Sequence, residues 1–190
     1  MKRKRSKQRG EYQYWSQNEE TCSIDAEHGC GPCSLANALI IKKSAVASPL
    51  DICFLARKEG IFRDSSTGIT PRAFARLVHV LLEATPLVEI KSGGGQELRP
   101  GCVLFVSSVG LKNAQGLCEF EGSVEHDGHI VVVENVTTSH VVVINPDTKP
   151  TSKCARSTET ECRCFEDGKC GRMRISKDAI DAVCFASVSW

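Results

Sequence analysis

Hydrophobic periodicity changes near the middle of this chain, and that change restricts the fold more than any other feature of the sequence. In the first half, apolar residues recur at helical spacing in segments with marked beginnings. "SPLDICFLARKEG" predicts a helix with Ser48 as N-cap, Pro49 in the first turn and Gly60 as stop. "TPRAFARLVHVLLEA" repeats the device with Thr70 and Pro71, and sets Phe74, Leu77, Val78 and Leu81 on one helical face. An earlier helix is predicted to open at Cys30 or Gly31. Pro32 suits its first turn, where the missing N–H has no acceptor, and Lys42 and Lys43 suit the negative end of its dipole. In the second half the apolar runs shorten and become β-branched: "LVEI", "CVLFVSSV", "HIVVVENV" and "HVVVINP" read as strands. "VTTSH" is a turn that makes 129–144 a hairpin. Polar residues 148–172 read as loop, "ISKDAIDAVC" as a short closing helix and "FASVSW" as a final strand, while a short strand is expected at Tyr12–Trp15. Helices first and strands afterwards predict an α+β fold, with N-terminal helices packed on a mainly antiparallel sheet and no internal repeat.

With 190 residues and 41% apolar content, residues 11–190 are expected to form a single domain behind a basic tail at 1–10. Twenty-four basic residues balance 23 acidic ones, which excludes a global bias toward nucleic acid, membrane surface or acidic substrates. The tail "MKRKRSKQRG" is the exception: it reads as a solvated segment, or as a localisation signal or polyanion contact. No apolar run approaches the roughly 20 residues of a membrane helix, and no apolar stretch of a signal peptide follows the basic start. A cytoplasmic protein is expected, the tail leaving other intracellular sites open. Eleven cysteines, an odd number, cannot all pair within the chain, and a reducing compartment keeps most of them as thiols. Cys53, Cys102, Cys118 and Cys184 sit in apolar context, where cysteine is a small core residue.

"EHGCGPCSLANAL" admits two chemistries. As a thioredoxin-type dithiol, Cys30 and Cys33 would need a buried strand in front of them and a later Pro packed on the pair. Yet "NEETCSIDAEHG" contains no such strand, and Pro100 is the one candidate proline. As a lone nucleophile, Cys30 at a helix mouth faces unpaired N–H groups and the positive dipole end, which favour the thiolate. That chemistry needs a histidine to carry the proton, a residue to orient it, and donors for the oxyanion. His129 follows Gly128 at the start of one strand, and Asn145 stands at the end of the next. A hairpin sets these ends side by side, so Asn145 can hold the imidazole, with Asp147 as a competing orienter. His28 is a loop residue too close to Cys30 in sequence to act as base, His79 is a lone helical histidine, and His126 and His140 are second neighbours at most.

Taken together, "QYWSQNEETCSIDAEHGCGPCSLANAL", "LRPGCVLFVSS" and "DGHIVVVENVTTSHVVVINPDT" resemble the C39-like branch of the papain-like cysteine peptidases. That pattern is a Gln in a strand-like segment, Cys-Gly-Pro opening a small-residue helix, a Pro-Gly turn before a middle strand, and a His strand followed by a strand ending in Asp or Asn. The resemblance covers most of residues 11–147 and extends to the last helix and strand. It implies a papain-like fold, with Cys30 as nucleophile, His129 as general acid/base, Asn145 as orienter, and Gln17 with the Cys30 N–H as oxyanion donors. Cys33 would be a core residue of the helix. Two departures are the 13-residue separation of Gln17 from Cys30, longer than in bacteriocin-processing members, and Asn145 in place of the more usual Asp. The resemblance implies cleavage of a peptide or isopeptide bond in a peptide or protein substrate, with no cofactor required.

"CARSTETECRCFEDGKC" places Cys154, Cys162, Cys164 and Cys170 in one polar segment. Four thiolates could hold a structural Zn²⁺, although the paired C-x₂-C knuckles of common zinc sites are missing; disulfides and free thiols are the alternatives. The sequence thus predicts a cysteine peptidase, against a CGPC thiol-disulfide oxidoreductase, an acyl transferase or deamidase on the same fold, and a non-enzymatic binding module.

Overall fold

In a computed structural model of the chain, residues 14–15, 29–44, 47–61, 69–90, 97–107, 128–146 and 172–190 are described. Three helices come first: α1 (Cys30–Ile41), α2 (Pro49–Lys58) and α3 (Pro71–Leu82). Strands β1 (Leu87–Ile90), β2 (Val103–Ser107), β3 (Gly128–Val136), β4 (His140–Ile144) and β5 (Arg172–Ser176) follow, then helix α4 (Lys177–Val183) and strand β6 (Cys184–Ser189).

The helix starts are set by side chains that satisfy backbone N–H groups left over by helix geometry. Ser48 Oγ accepts from the Asp51 N–H and the Asp51 carboxylate accepts from the Ser48 N–H, both at 3.2 Å, closing a capping box in front of Pro49. Thr70 Oγ1 does the same for Ala73 at 3.2 Å, ahead of Pro71. Helix α1 has no side-chain cap at Gly29, and every residue from Gly31 to Leu39 is buried. A helix apolar all round belongs in the interior, and α1 lies between β3 of the sheet and α2, while α3 packs on β6 and β1.

The six strands form one antiparallel sheet in the order β1-β6-β2-β3-β4-β5. Alternation along the strands divides the apolar residues into two layers. Val103, Phe105, Ile130 and Val132 pack with Leu35, Leu39, Phe74 and Val78 of the helices. Leu104, Val131, Val133 and Val143 pack on the other side with Met173, Ile175 and Ile180 of α4. The fold is therefore α+β, as the change of period predicts, and no helix among the described residues is long and apolar enough to cross a membrane.

Two expectations need correction. Of the strand expected at Tyr12–Trp15, Tyr12 and Gln13 lie outside the described residues, and Tyr14 and Trp15 belong to no strand, the backbone of Trp15 being bonded to a side chain of α1. The segment "ISKDAIDAVC" is not helical from its start: Ile175 and Ser176 close β5, a strand with Met173 and Ile175 inward, and Ser176 then caps α4 by accepting from the Ala179 N–H. The remainder of the polar loop at 148–172 lies outside the described residues.

Candidate functional site

β3 and β4 form the predicted hairpin, and their register decides what meets at its open end. The last ladder pair there is Val132 with Ile144. Beyond it stand half-buried His129 and Asn145, the latter 1% exposed, with His129 Nε2 at 2.5 Å from Asn145 Oδ1. An amide oxygen can only accept, so Nε2 carries a proton, and in the neutral ring this leaves Nδ1 as the acceptor.

Helix α1 arrives at the same end. Ser34 Oγ donates to the Ile130 carbonyl at 3.0 Å. Continuing the ladder register sets Ile130 opposite Pro146, which has no N–H to give, so a hydroxyl from the helix supplies the bond instead. A Cβ on Gly31 would stand 3.8 Å from Ile130 Cδ1 and 2.8 Å from Ile69 Cγ2, so only glycine lets the first turn lie this close. Cys30 and His129 are the residues immediately before Gly31 and Ile130. By alternation His129 shares its side of the sheet with Val131, while Cys30 packs at the margin of the helical layer. The nucleophile candidate and the His–Asn pair thus reach one end of the sheet from its two sides.

Cys33, one turn after Cys30, is fully buried in α1, as expected of a core residue. Cys53, Cys102 and Cys184 are buried too, and burial pushes the Cys102 thiol up to about 11. His79 pairs through Nδ1 with the Ala84 carbonyl at 2.7 Å, just past the end of α3, and His140 meets Ser139 Oγ at 2.8 Å in the β3–β4 turn. Both have local structural roles. Gln17, His28, Cys118, His126 and Asp147 lie outside the described residues, as do Cys154, Cys162, Cys164 and Cys170. Among the described residues no group of three His, Cys, Asp or Glu side chains could hold a metal ion.

Sequence reasoning missed Asn37. Fully buried, it accepts from the Trp15 N–H at 2.7 Å and donates to the Trp15 carbonyl at 2.9 Å, doing with one side chain what a neighbouring strand does with a backbone. Seven residues separate it from Cys30, so the two lie on one face of α1, about 10 Å apart along the axis. Tyr14 adds a second tether, its hydroxyl donating to Glu134 of β3 at 2.6 Å. The signal was present: an Asn inside the apolar run "SLANALII" needs a partner.

Phe185 was also passed over as an ordinary strand residue. Phe105 pairs with Ala186 and Val106 with Cys184, so Phe185 is the extra residue of a β-bulge. Its ring leans on Phe105, centroids 6.3 Å apart, and is 45% exposed. Comparison with protein-family models, with curated proteins and with solved structures found no match.

Proposed function

We propose that the chain is a papain-like cysteine peptidase of the C39-like kind, a thiol hydrolase that cleaves a peptide or isopeptide bond through Cys30, His129 and Asn145, with Gln17 as an oxyanion donor. The observation that carries this reading is the 2.5 Å contact between His129 Nε2 and Asn145 Oδ1 at the end of the sheet where α1 begins. Nothing in folding requires a half-buried imidazole to be held by a buried amide there, whereas a proton carrier needs its tautomer fixed.

With Nε2–H committed to Asn145, Nδ1 takes the proton of the Cys30 thiol. The thiolate attacks the carbonyl carbon and the electron pair moves to the carbonyl oxygen. Helix geometry provides no intrahelical acceptor for the Cys30 N–H, so that donor is suited to the oxyanion, and Gln17 would add a second. As the tetrahedral adduct collapses, the Nδ1–H of the imidazolium protonates the departing amine. Water, deprotonated by Nδ1, then releases the acid and restores the thiol. An amine acceptor in place of water makes the same site an acyl transferase, and a side-chain amide as substrate makes it a deamidase.

The oxidoreductase alternative requires Cys33 to attack a mixed disulfide at Cys30, a step the peptidase does not use. Mass spectrometry of the protein treated with a peptidyl chloromethyl ketone separates the two. The expected result is labelling at Cys30 that is lost in Cys30→Ala and His129→Ala and kept in Cys33→Ala. Labelling that ignores His129, or disulfide turnover that needs both cysteines, refutes the peptidase.

A further inference from the structure

Helix α1 meets β3 through contacts of two kinds, and they constrain it differently. Leu35 and Leu39 share an apolar cluster with Ile130 and Val132, and a Cβ on Gly31 would stand 3.8 Å from Ile130 Cδ1. Burial of apolar surface is non-directional, so by itself it sets the position of a helix along a strand only loosely. The bond from Ser34 Oγ to the Ile130 carbonyl, 3.0 Å long, is directional and weakens steeply once stretched or bent. Ser34 is fully buried and Ile130 is buried with it. The neighbours of these two residues give the bond its interest. Ser34 stands four residues after Cys30, one turn along the same face of α1 and about 6 Å along its axis. The accepting carbonyl belongs to the residue that follows His129. Any donor would satisfy that carbonyl; a donor on the helix that carries Cys30 also fixes how far α1 reaches along β3. A shift of one residue along the strand changes that reach by about 3.3 Å, more than a hydrogen bond between thiol and imidazole tolerates. Asn145 already holds the imidazole from the β4 side, so the thiol has to be brought to it.

We infer that Ser34 is a positioning residue of the reaction, whose bond to the Ile130 carbonyl holds α1 where the Cys30 thiol can pass its proton to His129. The inference rests on the peptidase reading and adds a residue that touches neither the substrate nor the reacting atoms. Ser48 of α2 provides the contrast: its hydroxyl also bonds the backbone, at the Asp51 N–H, but in a local cap with no link to either reacting residue.

Alkylation of Cys30 by iodoacetamide, followed on the full chain by mass spectrometry at two pH values, tests it. At about pH 6.5 the thiol depends on His129 for its ionisation, whereas at about pH 9.5, roughly one unit above the ordinary thiol value of about 8.5, it ionises without help. Ser34→Ala is expected to react about tenfold more slowly than wild type at the lower pH and within about twofold of it at the higher, because a misplaced proton acceptor costs rate only where the acceptor is used. Ser48→Ala should match wild type at both. Added to His129→Ala, Ser34→Ala should lower the rate no further, since a residue that acts through His129 has no effect without it. Ser34→Cys fills the same space with a weaker donor and should move the ratio of the two rates in the same direction, so the test stands even where the alanine variant does not fold. A ratio unchanged in the Ser34 variants, or a loss that persists in the His129→Ala background, overturns the positioning role and leaves the peptidase reading intact. A ratio unchanged in His129→Ala overturns both.

Discussion

Asn37 offers a sharp test, because its two bonds to Trp15 make different demands on the side chain. In Asn37→Ala both bonds disappear. Each buried hydrogen bond contributes about 1 kcal/mol net, and a stranded polar group adds a desolvation penalty of about 1–3 kcal/mol when water cannot reach it. Trp15 is half-buried, so its N–H and C=O recover part of their hydration, and the expected loss is about 2–3 kcal/mol. For a chain of this size that lowers Tm by roughly 5–10 °C. In Asn37→Asp the bond from the Trp15 N–H survives, but a carboxylate oxygen faces the Trp15 carbonyl, acceptor against acceptor. The protonated acid can donate there as the amide does. Folding therefore raises the pKa of the new carboxyl above the unfolded value of about 3.9. A group shifted this way contributes stability at low pH and loses it as pH rises through its folded-state pKa. Urea unfolding followed by tryptophan fluorescence should find Asn37→Asp close to wild type near pH 4 and progressively weaker toward pH 7, with Asn37→Ala showing no such extra slope relative to wild type. Loss below about 0.5 kcal/mol in the alanine variant, or a flat pH profile for the aspartate, would refute the two-bond clamp.

Three further outcomes are expected. Labelling of Cys30 by iodoacetamide at neutral pH should fall by about 100-fold in His129→Ala and by less in Asn145→Ala, since the first removes the proton acceptor and the second only its orientation; the reverse order would mean the roles are misassigned. Cys102 is 2% exposed and burial holds its thiol at about 11 against an ordinary value of 9.0, so the fold binds its proton more tightly than the unfolded chain. Its contribution is complete below about pH 9 and about 2–3 kcal/mol is lost between pH 9 and 11, so Cys102→Ala should flatten that limb of the stability profile; equal slopes for wild type and variant would count against it. Ser48→Ala should cost about 1 kcal/mol by opening the capping box of α2, read as a shift in thermal midpoint, and an unshifted midpoint would mean that packing alone holds the helix start.

Local chemistry was legible wherever it is written in neighbouring residues. Ser48 with Pro49 and Thr70 with Pro71 announce helix starts, and both helices begin there. The His129–Asn145 pairing was legible because a short turn leaves a hairpin little freedom of register. The strand β5 was not, because "RMRIS" offers only two inward apolar residues, too brief an alternation to compete with the helical pattern beside it. The Trp15 segment was misread for a different reason: aromatic residues suggest a strand, but the partner is a side chain 22 residues away. The exposed ring of Phe185 depends on a register slip between β6 and β2, a property of the pair that neither strand carries alone.

The position of β6 has a consequence for how the chain assembles. The last strand in sequence is the second in the sheet, bonded to β1 on one side and β2 on the other. The β3–β4 hairpin can close from contacts a few residues apart, whereas β1 has no partner until residues 184–189 are synthesised. Such pairings close long loops and slow folding. A chain ended at Val183 would lose more than a margin: β1 would be cut from the sheet, and β2 would become an open edge ready to recruit a strand from a neighbour.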